Sequence, residues 1–142
     1  MPLPDYDLEL TSKDLDVEGL RIHRFRAVEH MSRLYEIDLE VVALPRAAEG
    51  EARLDVEAAS GAQVEVVISL SGQELRRMGG IVSRVRELPV LGDADDKTHA
   101  VYELEIRPRA WLSTMVETLD VYLDNTVPEI IERKLSMFDL AV

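Results

Sequence analysis

Cysteine is missing altogether from the 142-residue chain, which excludes a disulfide framework, a thiolate metal site and a cysteine nucleophile. Aromatic residues are sparse, at 5% with a single tryptophan, so no aromatic ladder exists on which single-stranded nucleic acid would stack. Basic residues are outnumbered: 16 lysines and arginines stand against 28 aspartates and glutamates, a formal net charge of −12. A surface of that sign repels nucleic acid and anionic lipid, which argues against both as partners. No apolar run is long enough to cross a bilayer, and the opening MPLPDYDLEL carries neither a basic n-region nor an apolar h-region. The expectation is a chain that starts in the cytoplasm and leaves it, if at all, without a cleaved signal peptide.

What is there is β pattern. The length fits one domain with a single core. The chain is organised around VYELEIRPRAWL, residues 101–112. Tyr102, Leu104 and Ile106 fall on one face and Glu103, Glu105 and Arg107 on the other, the alternation of a half-buried strand. Pro108 ends it, because it has no N–H for a ladder. Trp111, Leu112 and Met115 follow at helical spacing, placing the tryptophan to plug one end of the sheet.

Upstream, Tyr6, Leu8 and Leu10 alternate with acidic and polar residues in a first strand. A second begins at Leu20, where Ile22 and Phe25 fall on opposite faces of a regular strand, so that either a bulge lies between them or both faces are covered. Tyr35, Ile37, Leu39 and Val41 face one way and Glu36, Asp38 and Glu40 the other. Residues 44–61 lose the β pattern, and 54–59 fit one or two helical turns. Val64, Val66, Ile68 and Leu70 resume the alternation. Gly79 and Gly80, inside the next run, mark a sharp bend or close backbone approach, as at a barrel corner. Residues 89–99 read as a solvated loop. Leu119, Val121 and Leu123 alternate as a last strand. Thr126, Pro128 and Glu129 then open a helix with a capping box, whose stripe of Val127, Ile130, Ile131, Leu135 and Phe138 is expected to pack across an open end of the barrel. About seven strands and one sure helix give a mainly β fold with one or two short helices, a small closed or split β-barrel, with the glycine corner favouring closure.

Chemistry has little foothold. His23, His30 and His99 show no metal spacing. The aspartates after Gly92 lack the calcium-loop spacing, its central glycine and its closing glutamate. There is no G-x-S-x-G elbow. Glu36 with Asp38, or Glu103 with Glu105, are the carboxylate pairs on which a small hydrolase would rely, but regular alternation is the pattern of a solvated strand face. Arg21, Arg24, Arg26, Arg76, Arg77, Arg84 and Arg86 gather in two strands, where they are expected to pair with the acidic strands or with an acidic partner ring. No catalytic, cofactor-binding or metal-ligating residue is assigned. Gly79, Gly80, Pro108 and Trp111 read as fold determinants.

The order of segments is itself informative. The strand pair over 25–42, then MGGIVSRV (78–85), YELEIRPRAWL (102–112) and LDVYLDNTVPEIIERKL (119–135), resembles the start of VgrG proteins, the spike-tip proteins of type VI secretion systems. The same succession is similar to the baseplate hub of contractile phage tails and to hubs of extracellular injection particles. The resemblance covers nearly the whole chain. It implies a phage-tail-hub barrel and a structural, non-enzymatic role without cofactor. It also implies a homotrimer in the full-length protein, contacts with the hexameric inner-tube protein and with baseplate and spike components, and no membrane insertion by this domain. Export would be with the spike, after cytoplasmic assembly. Since family members continue into a second barrel and a needle, residues 1–142 are expected to be the first hub barrel of a longer hub–spike chain.

Overall fold

The computed structural model describes residues 6–46, 50–51, 53–92 and 98–140. In chain order these form β1 (Tyr6–Ser12), β2 (Leu20–His30), β3 (Arg33–Ala43), β4 (Pro45–Arg46), β5 (Gly50–Glu51), α1 (Val56–Ala59), β6 (Gln63–Leu70), β7 (Gln73–Gly92) and β8 (Thr98–Arg107). A 3-10 helix (Arg109–Met115) and α2 (Val127–Ser136) complete the described chain. Six strands make one antiparallel sheet in the order β1-β6-β7-β8-β3-β2, and β4 and β5 pair separately. The fold is mainly β, as expected. The closed form of the barrel is not reached: β1 and β2 are the two ends of the order and share no ladder, so the split form stands.

Alternation dictates the core. Ile37, Leu39 and Val41 of β3, Tyr102, Leu104 and Ile106 of β8, and Val64 and Val66 of β6 are all buried on one face. Each such aliphatic side chain contributes about 1.5–3 kcal/mol relative to exposure. Leu54, Ala59 and Ala62, around α1, join the same cluster. Asp55 caps α1 by accepting from the N–H groups of Glu57 and Ala58, both at 3.0 Å.

The bulge expected in β2 is present. Its register on β3 shifts between Ile22 and Arg24, which lets Ile22 and Phe25 both pack against the core. The glycine corner is equally real. β7 pairs with β6 up to Ile81 and with β8 from Ile81 onward, so the strand changes partner where Gly79 and Gly80 lie. A Cβ at Gly80 would sit 2.1 Å from the Arg107 carbonyl oxygen, and one at Gly79 2.7 Å from that of Val64. Only glycine lets these backbones approach so closely. The phenol of Tyr35 donates to the Gly79 carbonyl from β3, tying the corner to a strand that is not its ladder neighbour.

Four expectations are corrected. The loop expected over 89–99 is strand over 89–92 and 98–99, since β7 runs to Gly92 and β8 starts at Thr98, and its residues 93–97 lie outside the described residues. Pro89 is tolerated because the ladder is irregular between Leu88 and Leu91. The strand expected at Leu119–Leu123 does not form: with no neighbouring strand to pair with, Leu119 and Val121 stand 100% and 82% exposed. α2 does not cover an open end, because none of its residues is buried. Trp111 does not plug the sheet. It lies half-buried on a 3-10 helix that contributes nothing to the buried core.

Candidate assembly face

The outer face of the sheet brings together most of the charged residues singled out in the sequence. Strand register lines them up in rows across four strands. In one row Arg24 of β2, Glu40 of β3, Glu103 of β8 and Arg86 of β7 are successive ladder partners. In the next, Arg26, Asp38, Glu105 and Arg84 repeat the arrangement. Each row therefore places two carboxylates directly opposite one another, a repulsive pairing in a sheet, and closes it at both ends with a guanidinium. The contacts are made: Arg24–Glu40 at 2.6 Å, Arg26–Asp38 at 3.0 Å, Arg84–Glu105 at 2.9 Å and Arg86–Glu103 at 2.7 Å. Arg107 bridges Glu36 of the same face.

The central carboxylates are shielded by this packing. Side chains of Glu40, Glu103 and Glu105 are only 17–22% exposed, while Arg24, Arg84 and Arg86 are more than half exposed. The result is a strip that is acidic along the middle strands and basic along its flanks. Chemically it can meet another patterned surface. The carboxylate pairs named for a hydrolase, Glu36 with Asp38 and Glu103 with Glu105, are each engaged by arginine here, which fits a neutralised strand face.

Of the other arginines singled out in the sequence, Arg76 and Arg77 pair as well. Arg76 reaches Glu29 at 2.7 Å across the curl of the sheet, and Arg77 holds Glu65 and Glu74 at 2.7 and 3.0 Å. The hydrogen bond from Arg77 holds the Glu74 carboxyl below its ordinary value. Arg21 donates to the carbonyl of Leu20. So the arginines serve the chain's own acidic residues, one of the two roles the sequence allowed. The sequence did not show which partners meet, although period-two charge on both β2 and β3 was the available signal.

His23 and His30 are exposed on β2, and His99 lies on β8. No group of metal-ligating side chains exists among the described residues, and the acidic run at 93–97 falls outside them. Two anchors escaped sequence reasoning. Arg109 donates to the Phe138 carbonyl at 2.9 Å and to Asp139 at 2.7 Å, and Lys134 bonds Thr118 and Asp120. Together they hold the C-terminal segment by its polar groups, leaving Leu119, Val121, Leu123, Val127 and Ile131 exposed.

The described residues thus form an open, rolled six-stranded sheet with charge-paired outer rows, the mainly β fold of a tail-hub domain. Its ancestry can be stated directly. The chain belongs to the phage tail baseplate hub (GPD) family, whose model matches residues 28–142. It is similar to the type VI secretion system spike protein VgrG1c of Pseudomonas aeruginosa, at 28% identity over 119 residues, 84% of this chain and 15% of that protein. The fold matches that of the Escherichia coli c3393 protein, at a TM-score of 0.66 and 22% identity over 89% of this chain and 31% of that one. The c3393 protein is a component of the type VI secretion system with structural similarity to the T4 bacteriophage tail proteins gp27 and gp5. This chain thus spans well under half the length of either relative.

Proposed function

We propose that the chain is the hub part of a type VI spike, joining the hexameric inner tube to the trimeric needle for protein delivery. The observation that carries this reading is the hub-family match over residues 28–142, supported by the likeness to a spike protein along 84% of the chain. On this reading residues 1–142 are the first hub barrel of a longer hub–spike chain that trimerises when whole. The partners are the tube ring and the baseplate and spike components, with no nucleic acid and no membrane insertion. Assembly takes place in the cytoplasm, and the domain leaves the cell with the spike. The work is mechanical, adapting one symmetry to another, and involves no turnover.

In-frame removal of residues 1–142 from the producing strain tests it. Tube protein is expected to vanish from the culture medium while its level inside the cell is unchanged, and the wild-type chain restores export. Continued export of tube protein from the deletion strain would sink the proposal. A second reading, the equivalent hub of a contractile phage tail, is favoured by the description of the matched family. Capsid genes rather than secretion genes beside the coding sequence would select it.

A further inference from the structure

The sheet has two free edges, and they are defended very differently. β2 carries the devices that keep an edge from pairing: a bulge after Ile22 and the arginines 21, 24 and 26. β1 carries none. Its sequence, YDLELTS, has neither lysine nor proline, and its register on β6 runs unbroken from Tyr6 to Ser12. On the side away from β6, alternate residues of β1 turn backbone N–H and C=O groups outward with no ladder among the described residues to receive them.

That edge faces an opening. A groove of about 640 Å³ is walled by residues 7–12 of β1 and 17–21 leading into β2. The core is unevenly covered along it. Leu10, Leu15 and Leu20 are buried, whereas Leu8, Val17, Ile22 and Phe25 pack against the core only in part. Asp7 and Glu9 point to the other face of β1, exposed, and their side chains make no hydrogen bond or ion pair among the described residues. The six β1 residues along the groove span about 20 Å of strand at the usual rise.

We propose that β1 is a strand acceptor: its free edge takes an extended segment of a partner protein in which aliphatic residues alternate with lysine or arginine. The backbone of that segment satisfies the outward N–H and C=O groups. Its aliphatic side chains complete the cover over Leu8 and Val17, and its basic side chains lie beside Asp7 and Glu9, the cross-strand neighbours of opposite charge that a sheet favours. The inference follows from the edge, the groove and the two carboxylates, and stands independently of the tube-and-needle role.

The probe is a fluorescent heptapeptide of alternating valine and lysine, titrated into the full chain by anisotropy, with amide hydrogen exchange to locate it. The peptide is expected to bind and to slow exchange in β1 rather than elsewhere. The double variant Asp7→Lys/Glu9→Lys, whose changes are both on exposed side chains, is expected to keep its thermal midpoint and to weaken binding about tenfold. A peptide with proline at its centre, which cannot complete the ladder, is expected to lose binding. Equal affinity for a valine–glutamate peptide would mean that Asp7 and Glu9 select nothing, equal affinity for the proline peptide would mean that net charge alone attracts the probe, and either would overturn the proposal. So would protection confined to β2 or to α2. Light scattering that shows the chain self-associating through β1, and released by the double variant, would make a second copy the occupant and equally overturn it.

Discussion

At Gly80 a single added carbon would lie 2.1 Å from the Arg107 carbonyl oxygen and 3.1 Å from a methyl of Ile106. Neither neighbour can retreat, because one is ladder backbone and the other is core. Gly80→Ala is therefore expected to lower stability by about 3 kcal/mol, the upper part of the range for overpacking, read as a shift in urea midpoint. An unchanged midpoint would show that β7 does not turn its corner here. Tyr35 supports the same corner from across the sheet. Burial, with the charge of Glu29 second, pushes its phenol above its ordinary value, so the hydroxyl remains a donor to Gly79. Tyr35→Phe is expected to cost about 1 kcal/mol, the net worth of one hydrogen bond. Trp111 stands lower in this order than its size suggests. A buried tryptophan loses about 3–5 kcal/mol on truncation, but half-exposure on the 3-10 helix reduces the expected cost of Trp111→Ala to about 1–2 kcal/mol.

Among the elements, β3 and β8 were legible in the sequence because one face of each is sealed by the core and the other is wet, so period two is written into residues 35–41 and 102–106. The bulge of β2 was legible for the same reason, as a break in that period. Leu119–Leu123 shows where the inference fails: alternation specifies a strand only when a neighbour supplies a ladder, and none lies beside this segment. The charge rows were half-legible. Residue types were visible, but which arginine meets which carboxylate depends on long-range register that no local pattern encodes. Their energetics can be checked. With exposed guanidinium groups each pair contributes about 0.2–1 kcal/mol, and Arg24→Gln with Arg86→Gln leaves Glu40 facing Glu103 unneutralised. The double variant is expected to lose about 1–2 kcal/mol, more at low salt, and adding Glu103→Gln is expected to recover part of it. A loss independent of salt would show the rows to be electrostatically idle. In α2, the Thr126 backbone N–H and hydroxyl both donate to the Glu129 carboxylate, at 2.7 and 2.8 Å. The backbone bond foremost holds Glu129 below its usual 4.5. A depressed carboxylate stabilises above its unfolded value and loses that contribution as pH falls through the folded one. The first turn of α2 should thus fray on acidification below about pH 4.5, seen as a lower protection of the Ile130 amide, whose N–H bonds the Thr126 carbonyl, relative to its intrinsic exchange rate at each pH, and Glu129→Gln should abolish that change in protection.

For the whole molecule, a strongly acidic chain with an open sheet and paired outer charges is suited to holding position in an assembly. The carboxylates of its outer rows are neutralised by arginines of the neighbouring strands. The C-terminal segment, fastened by Arg109 and Lys134 yet presenting Leu119, Val121 and Leu123 to solvent, has the larger exposed apolar surface expected where other protein is met. The hub reading comes down to stoichiometry, and native mass spectrometry of the complex carrying this chain, drawn from producing cells, measures it most directly. The account predicts three copies of the chain bound to one six-membered ring of tube protein. A single copy of the chain, with no tube subunits on it, would contradict the account.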